Sequence, residues 1–577
     1  MNALFILFGG AICLALGYIF YSSYLERVWG VISGEKTPAE EINDGIDYVP
    51  AKPPVLMGHH FSSIAGAGPI NGPIMAAPFG WVPVVLWIIF GGIFFGAVHD
   101  FGALYASIRH KGQSIGIVIQ NTMGELMKKL FLVFGYFSLI LVIAAFSSIV
   151  AKTFAAINPA SEAFGQISGN PAQVLANTAN AATAMISLLF IAIAVVFGLL
   201  FRKRGSSLLG LSIAGIIAIV AIVIVGLKFH PFYYSEKQWL IVIGIYITAA
   251  SVMPVWILLQ PRDYLSSFLL YAMMIIAIIG IIAAHPTVEM PAFTGWSNDK
   301  LGFIFPILFI TVACGAISGF HSIVASGTTA KQLAEEKHAR PIAYGSMLIE
   351  CILAIMSTLA VAYVWQKYSA GGYAAPTAVF ADGLSQMFAK IPGMADAQFT
   401  VYQLLILTIS AFCLTTLDTS TRLARYMFQE FWLLEGQQVS ETTGLMKLLT
   451  DKYVATVITI VLGMFLGLNG YQNIWSLFGA ANQLLAGLGL LAIAVWLGKI
   501  GKKNFMLYIP LAFMMTATVT ALILLILKDF NAIGTANSSV WNIARIFIAG
   551  LLLVLSIILL IKGVLTMMNQ KSKALKA

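Results

Sequence analysis

His59-His60-Phe61-Ser62-Ser63-Ile64-Ala65-Gly66-Ala67-Gly68-Pro69-Ile70-Asn71-Gly72-Pro73 opens an apolar stretch that runs through Trp87 and Phe95 to His99. Residues 66–73 hold three glycines and two prolines. Proline lacks an amide donor and glycine loses the most backbone entropy on ordering, so a continuous helix is not expected there. At membrane depth, irregular backbone persists only where protein buries it or a water-filled cavity adjoins it. A helix broken in the bilayer is therefore a candidate site for a polar solute in transit.

The remainder of the chain supplies the bilayer context. Of 577 residues, 59% are hydrophobic and 10% are charged, against about 25% charged in soluble proteins; the mean hydropathy is +0.89. This is the composition of an all-α polytopic membrane protein. The net charge of +9 sits in short loops between apolar segments, which suits topology signals and anionic lipid headgroups, with no call for nucleic acid. Cys13, Cys314, Cys351 and Cys413 all lie in apolar segments without metal-ligand spacing and read as small core residues. The apolar run ending near Tyr24 lacks a basic leader and a clear small-residue cleavage site, and reads as a retained first span. No soluble segment of globular size and no Walker motif occurs, so neither ATP hydrolysis nor an enzyme is expected.

Apolar windows of about 17–25 residues mark spans. They fall near 3–24, 61–80, 81–108, 131–156, 184–201, 206–227, 239–260, 263–284, 302–326, 341–366, 401–425, 452–469, 471–497, 505–527 and 541–562, about fifteen in all. Alternate loops carry Arg109, Lys111, Lys128 and Lys129; Arg202, Lys203 and Arg204; Arg262; Lys331, Lys337 and Arg340; Arg422 and Arg425; Lys499, Lys502 and Lys503; and Lys571, Lys573 and Lys576. The positive-inside rule places this set in the cytoplasm, with the N-terminus outside and the C-terminus inside. Segment 25–58, with Pro38, Pro50, Pro53 and Pro54, reads as a cytoplasmic loop. Five segments after the broken one, 239–260 contains Ser251-Val252-Met253-Pro254-Val255-Trp256, where proline should open a second helix. Two interrupted, oppositely directed helices predict an inverted 5+5 repeat. The expected organisation is 1–60 as first helix and loop, 61–425 as the transporter core and 426–577 as additional helices.

Polar groups inside spans are few, and intramembrane ionisable residues are candidates for function. The freed backbone around Gly66, Gly68, Asn71 and Gly72 and the interruption at Met253 form one candidate binding set, joined by Ser318 and Ser322, a helical turn apart in Cys314-Gly315-Ala316-Ile317-Ser318-Gly319-Phe320-His321-Ser322. His99, Asp100, His321 and Glu350 are candidate proton carriers. Asp418 and Arg422 are four apart, able to pair on one helical face, and with Arg262 are candidate gating residues. Asn482 and Gln483 are expected to bridge the last helices to the core. His59, His60, His99 and Asp100 have ligand chemistry, but adjacent histidines on a helix do not converge on one ion, and no metal or other cofactor is expected.

These strings together resemble the carbon starvation protein A (CstA) family of bacterial inner-membrane transporters. The resemblance rests on 59–73 and on GWVPVVLWIIFGGIFFGAVHDF, PVWILLQPRDYLS, CGAISGFHSIVASGTTAKQL, TTLDTSTRLARY and WSLFGAANQLL, in that order over roughly residues 55–490. It implies a multi-pass inner-membrane transporter of the carbon starvation response, for short peptides or, as related members do, for pyruvate by proton symport. It also implies the inverted five-helix repeats of the amino acid–polyamine–organocation (LeuT-like) superfamily. In the family the position of His99 is often glutamine, which leaves Asp100 the stronger proton carrier. The expected function is thus a proton-coupled importer of small nutrients, with sodium as the alternative coupling ion and an amino acid or carboxylate as the alternative cargo. A channel, a sensor or a membrane redox protein fits less well: no signalling domain or haem- or cluster-binding pattern occurs. The oligomeric state is left open.

Overall fold

The computed structural model describes residues 1–576 except 33, 46, 202–207, 374, 434–436, 438, 469–470 and 535–538. The basic loop residues Arg202, Lys203 and Arg204 lie outside the described set. Among the described residues the chain is helical almost throughout, with one two-residue antiparallel ribbon pairing Ser297–Asn298 with Gly302–Phe303.

The helices that position the site are, in chain order, α1 (Ala3–Trp29), α2 (Pro53–Ile64), α3 (Gly68–Ala76), α4 (Trp81–Ile108), α5 (Ile115–Met123), α6 (Glu125–Phe154), α7 (Pro171–Phe201), α8 (Leu208–Lys228), α9 (Glu236–Val252), α10 (Leu259–Ala284), α11 (Ile304–Thr311), α12 (Gly319–Gly327), α13 (Ser346–Tyr363), α14 (Pro376–Phe388), α15 (Gln398–Trp432), α16 (Lys452–Gly467), α17 (Tyr471–Lys499), α18 (Tyr508–Ala532) and α19 (Val540–Lys576). Among the described residues, eleven helices, or up to twelve, are long and apolar enough to cross a membrane. The expected fifteen exceeds this because α2, α3, α9, α11, α12 and α16 are each shorter than eighteen residues.

Among the described residues, two interrupted helical paths bear on the site. The first runs through α2 and α3 and begins at Pro53, within the segment expected to be a loop, which puts its break at 65–67 in the interior. Proline at the first helical position suits α2, because no intrahelical partner exists there for an amide. The second runs through α11 and α12, with 312–318 between them. The interruption expected at Met253-Pro254 is instead the end of α9: Met253 is its C-cap and the next helix starts at Leu259. A proline just beyond a helix end is ordinary stop chemistry. The second break falls in the segment 302–326, whose glycines and small residues carry the same signal as 66–72.

α15 and α17 pack on α6 at the centre, and α10 packs on α2. α7 and α8 pair with each other and reach the body mainly through α10 and α15. α17 is wholly protein-enclosed along its most apolar window, whereas α8 and α19 leave most of theirs outward-facing, as lipid contact requires.

Candidate transport site

The two breaks meet. A side chain added at Gly68 would collide with Cys314, and one at Gly72 would lie 2.6 Å from the Thr311 carbonyl oxygen and 3.2 Å from Val312 Cα. One at Gly66 would lie 2.5 Å from the Phe146 ring and 3.2 Å from Thr416 Oγ1. These glycines are thus required for close backbone approach, not only for flexibility. Around the first break, Ala65 N–H donates to Phe61 (2.9 Å), Gly66 N–H to Ile64 (2.8 Å) and the Thr416 hydroxyl to the Ser63 carbonyl (3.1 Å). The Ser357 and Tyr368 hydroxyls hold α3 by donating to the Ile70 and Ile74 carbonyls at 2.6 and 2.8 Å.

Asn71, on α3, is fully buried, and neither its amide nitrogen nor its amide oxygen has a partner. A buried unpaired amide is costly, at about 1–3 kcal/mol, and a polar solute at the junction would relieve it. Ser318 lies at the second break, beside Cys314 and Asn482. Ser322 faces elsewhere: its hydroxyl donates to the Gly319 carbonyl (2.8 Å) and lies beside Gly489. The two serines do not form the expected joint hydroxyl surface. Met253 is not at the breaks either; it packs with Ala194, Ala250 and Leu258, and its carbonyl accepts from Arg422.

The four candidate proton carriers converge from three separate segments. Asp100 Oδ1 lies 2.9 Å from His99 Nδ1, and its Oδ2 lies 2.9 Å from His321 Nδ1. The other ring nitrogen of His321 faces Glu350 Oε2 at 3.5 Å. All four side chains are fully buried. α4 carries His99 and Asp100 just past a π-helical turn, Gly92–Gly96, a device common at functional sites. Gly96 admits the Ala316 carbonyl of the second break. Glu350 makes no hydrogen bond through either oxygen, so the chain ends on an acid with spare capacity.

A second ionic cluster lies toward the end of the bundle that carries the basic loops. Arg262 holds Asp263 through Nη2 (2.7 Å) and Nε (3.2 Å), and pairs with Asp418 through Nη1. Tyr246 donates to Asp418 (2.5 Å) and accepts from Arg262 (2.8 Å). Asp263 also receives His59 Nδ1 at 2.7 Å, tying the cluster to α2. The expected Asp418–Arg422 pair does not form. Arg422 donates to the Ala250 (3.0 Å) and Met253 carbonyls and faces Asp47 at 3.5 Å. Four-residue spacing permits contact on a helix, but partners remote in the chain engage both groups instead. Asp47, Tyr246 and Asp263, and the pairing of His59 with Asp263, were not foreseen from the sequence because the partners are remote in the chain. His60 goes to Thr329 (2.8 Å), so His59, His60 and His99 serve three different partners.

Two interrupted helices that meet near their breaks, a buried carboxylate–imidazole chain against one of them and an ion-paired cluster at one end are the features of a multi-pass membrane transporter. The chain matches the family model "Carbon starvation protein CstA" over residues 2–373 and 364–521 and belongs to that family of multi-pass membrane proteins. Peptide transporter CstA of Campylobacter jejuni is 32% identical, over 92% of this chain and 82% of that protein. Peptide transporter CstA of Bacillus subtilis is 31% identical, over 89% of each. The pyruvate/proton symporter BtsT of Escherichia coli is 30% identical, over 90% of this chain and 81% of that one. Among solved structures, an Eremococcus coleocola manganese transporter aligns with a TM-score of 0.44 at 12% identity, over 89% of this chain and 95% of its own.

Proposed function

We propose that this protein imports a small carboxylate-bearing nutrient, a short peptide or pyruvate, into bacteria in symport with protons. The observation that carries this is the buried sequence Glu350–His321–Asp100–His99, whose central histidine rides on the inner half of a broken helix. A proton added there changes the charge beside the breaks, and an arriving carboxylate compensates it. The positive N-terminal ends of α3 and α12, which face the two breaks, favour that carboxylate. Asn71 supplies amide contacts. The named relatives, peptide transporters and a pyruvate/proton symporter, agree with this cargo and this ion.

The helix order supports an inverted repeat with different bounds from those the sequence suggests. One half is α2–α3, α4, α6, α9 and α10, with α7 and α8 inserted; the other is α11–α12, α13, α15, α16 and α17. Counting each broken path as one crossing, and α9 and α16 as crossings, restores fifteen spans with α1, α7, α8, α18 and α19. In this scheme Arg262, Asp263, Asp418 and Arg422 hold the inner end shut, and cargo release requires that cluster to separate.

Uptake into proteoliposomes tests the proposal, with pyruvate, dipeptides and amino acids offered under proton and sodium gradients imposed separately. Accumulation of pyruvate or dipeptide above equilibrium under the proton gradient, abolished by a protonophore, is expected. Accumulation driven by sodium alone, or channel-like equilibration without accumulation, contradicts it.

A further inference from the structure

The first amides of a helix have no intrahelical acceptor, and a serine at the N-cap position normally supplies one. Ser318 is the N-cap of α12, yet its side chain makes no bond to its own helix. Its hydroxyl turns to Asn482 of α17, at 3.2 Å from Oδ1 and 3.0 Å from Nδ2. Asn482 Oδ1 takes over the cap and accepts the Phe320 N–H at 2.9 Å. The next residue along the chain, Gln483, reaches the other edge of the same break, its Nε2 donating to the Phe309 carbonyl of α11 at 3.5 Å. Both amide residues are buried.

The same helix also abuts the proton chain. A side chain at Gly489 would lie 2.5 Å from His99 Nε2 and 3.4 Å from the Ser322 hydroxyl. At Gly319 there is no room for a side chain against the α17 backbone. The residue after the capped Phe320 is His321, held by Asp100 and facing Glu350. α12 therefore has two ways to begin: capped from α17, as observed, or capped by its own Ser318. These place the start of the helix, and His321 with it, differently.

We propose that Asn482 is a positioning residue for proton coupling: its cap on α12 sets His321 between Asp100 and Glu350, and its exchange for Ser318 links the state of the break to the proton. This rests on the proton-symport reading above. The groups that face His321 are Asp100 and, through it, His99 on α4, Glu350 on α13, and His60 on α2, which interacts electrostatically with His321. α17 brings none, and Asp418 on α15 is engaged by Arg262. Asn482 thus acts without a charge of its own.

The test compares proton-driven uptake across a pH series for wild type, Asn482→Leu, Asn482→Ser and Gln483→Met in proteoliposomes, alongside counterflow exchange of the same cargo. Loss of a cap changes an equilibrium by about tenfold. Asn482→Leu should lose about that factor in accumulation ratio and move the pH profile to lower pH, because the imidazolium is no longer held by both acids, while counterflow persists. Asn482→Ser, which keeps a shorter acceptor, should lie between it and wild type. Gln483→Met should keep the wild-type pH profile. If Asn482→Leu does not fold, the profile of Asn482→Ser decides. A wild-type profile in the Asn482 variants, with rates lowered equally at every pH, marks a packing role and overturns the inference. A wild type without any proton dependence instead refutes the symport reading itself.

Discussion

Arg262 is the single cation shared by two buried carboxylates, and its removal should cost more than removal of either one. The guanidinium is 1% exposed, and Asp263 and Asp418 are fully buried. Replacing Arg262 by Gln strands both acids, leaving Asp263 with His59 and Asp418 with Tyr246. Breaking a buried pair by deleting one partner costs about 3–5 kcal/mol, and with two acids stranded the upper end applies. Asp418→Asn is milder, because Arg262 keeps its two-nitrogen contact with Asp263; loss of one charged hydrogen bond costs about 1.5–3 kcal/mol. The double variant strands one charge fewer than Arg262→Gln alone, so it should fall short of the sum of the singles by about 1–3 kcal/mol. Equilibrium unfolding in mixed micelles titrated with SDS, run as a double-mutant cycle, measures all three. Equal costs for the two singles, or strict additivity in the double, would refute the shared-cation account.

Asp100→Asn should abolish proton-driven accumulation while leaving insertion and counterflow intact; normal accumulation removes Asp100 from the proton path. Gly68→Leu should insert yet fail to transport, because its side chain meets Cys314, whereas Gly9→Leu, which has open space around it, should transport normally; wild-type uptake by the former contradicts the meeting of the breaks. Asp47→Ala should loosen the inner end by releasing Arg422 and Tyr426. In a Cys13→Ser background this should speed labelling of Ser63→Cys by a cytoplasmic thiol reagent, and unchanged labelling argues that Asp47 is not part of the closure.

Much of the site was legible in the sequence because lipid makes polar residues conspicuous. His99, Asp100, His321 and Glu350 stood out as ionisable groups in apolar surroundings, and folding brings all four together. The glycines at 66–72 signalled a break that is present. The second break was misplaced because proline is a louder signal than a run of small residues. Pro254 only follows a helix end, while 312–318 opens with no proline inside it. Helix partners of Asp418 and Arg422 were misjudged because spacing along one helix reveals what can touch locally and nothing about Arg262 or Asp47 arriving from elsewhere. Asn482 and Gln483 were recognisable as a bridge, but not as a cap on a half-helix, since that role depends on the second break. The short half-helices also explain why fifteen apolar segments correspond to only eleven or twelve full-length membrane helices among the described residues.

Density from cryo-electron microscopy of the protein with its transported cargo, pyruvate or a dipeptide as uptake assigns it, tests the central arrangement most directly. The cargo should lie between 65–67 and 312–318, its carboxylate on main-chain amides and its neighbour the Asn71 side chain. Cargo bound elsewhere, with both breaks still packed against each other as described above, would contradict it.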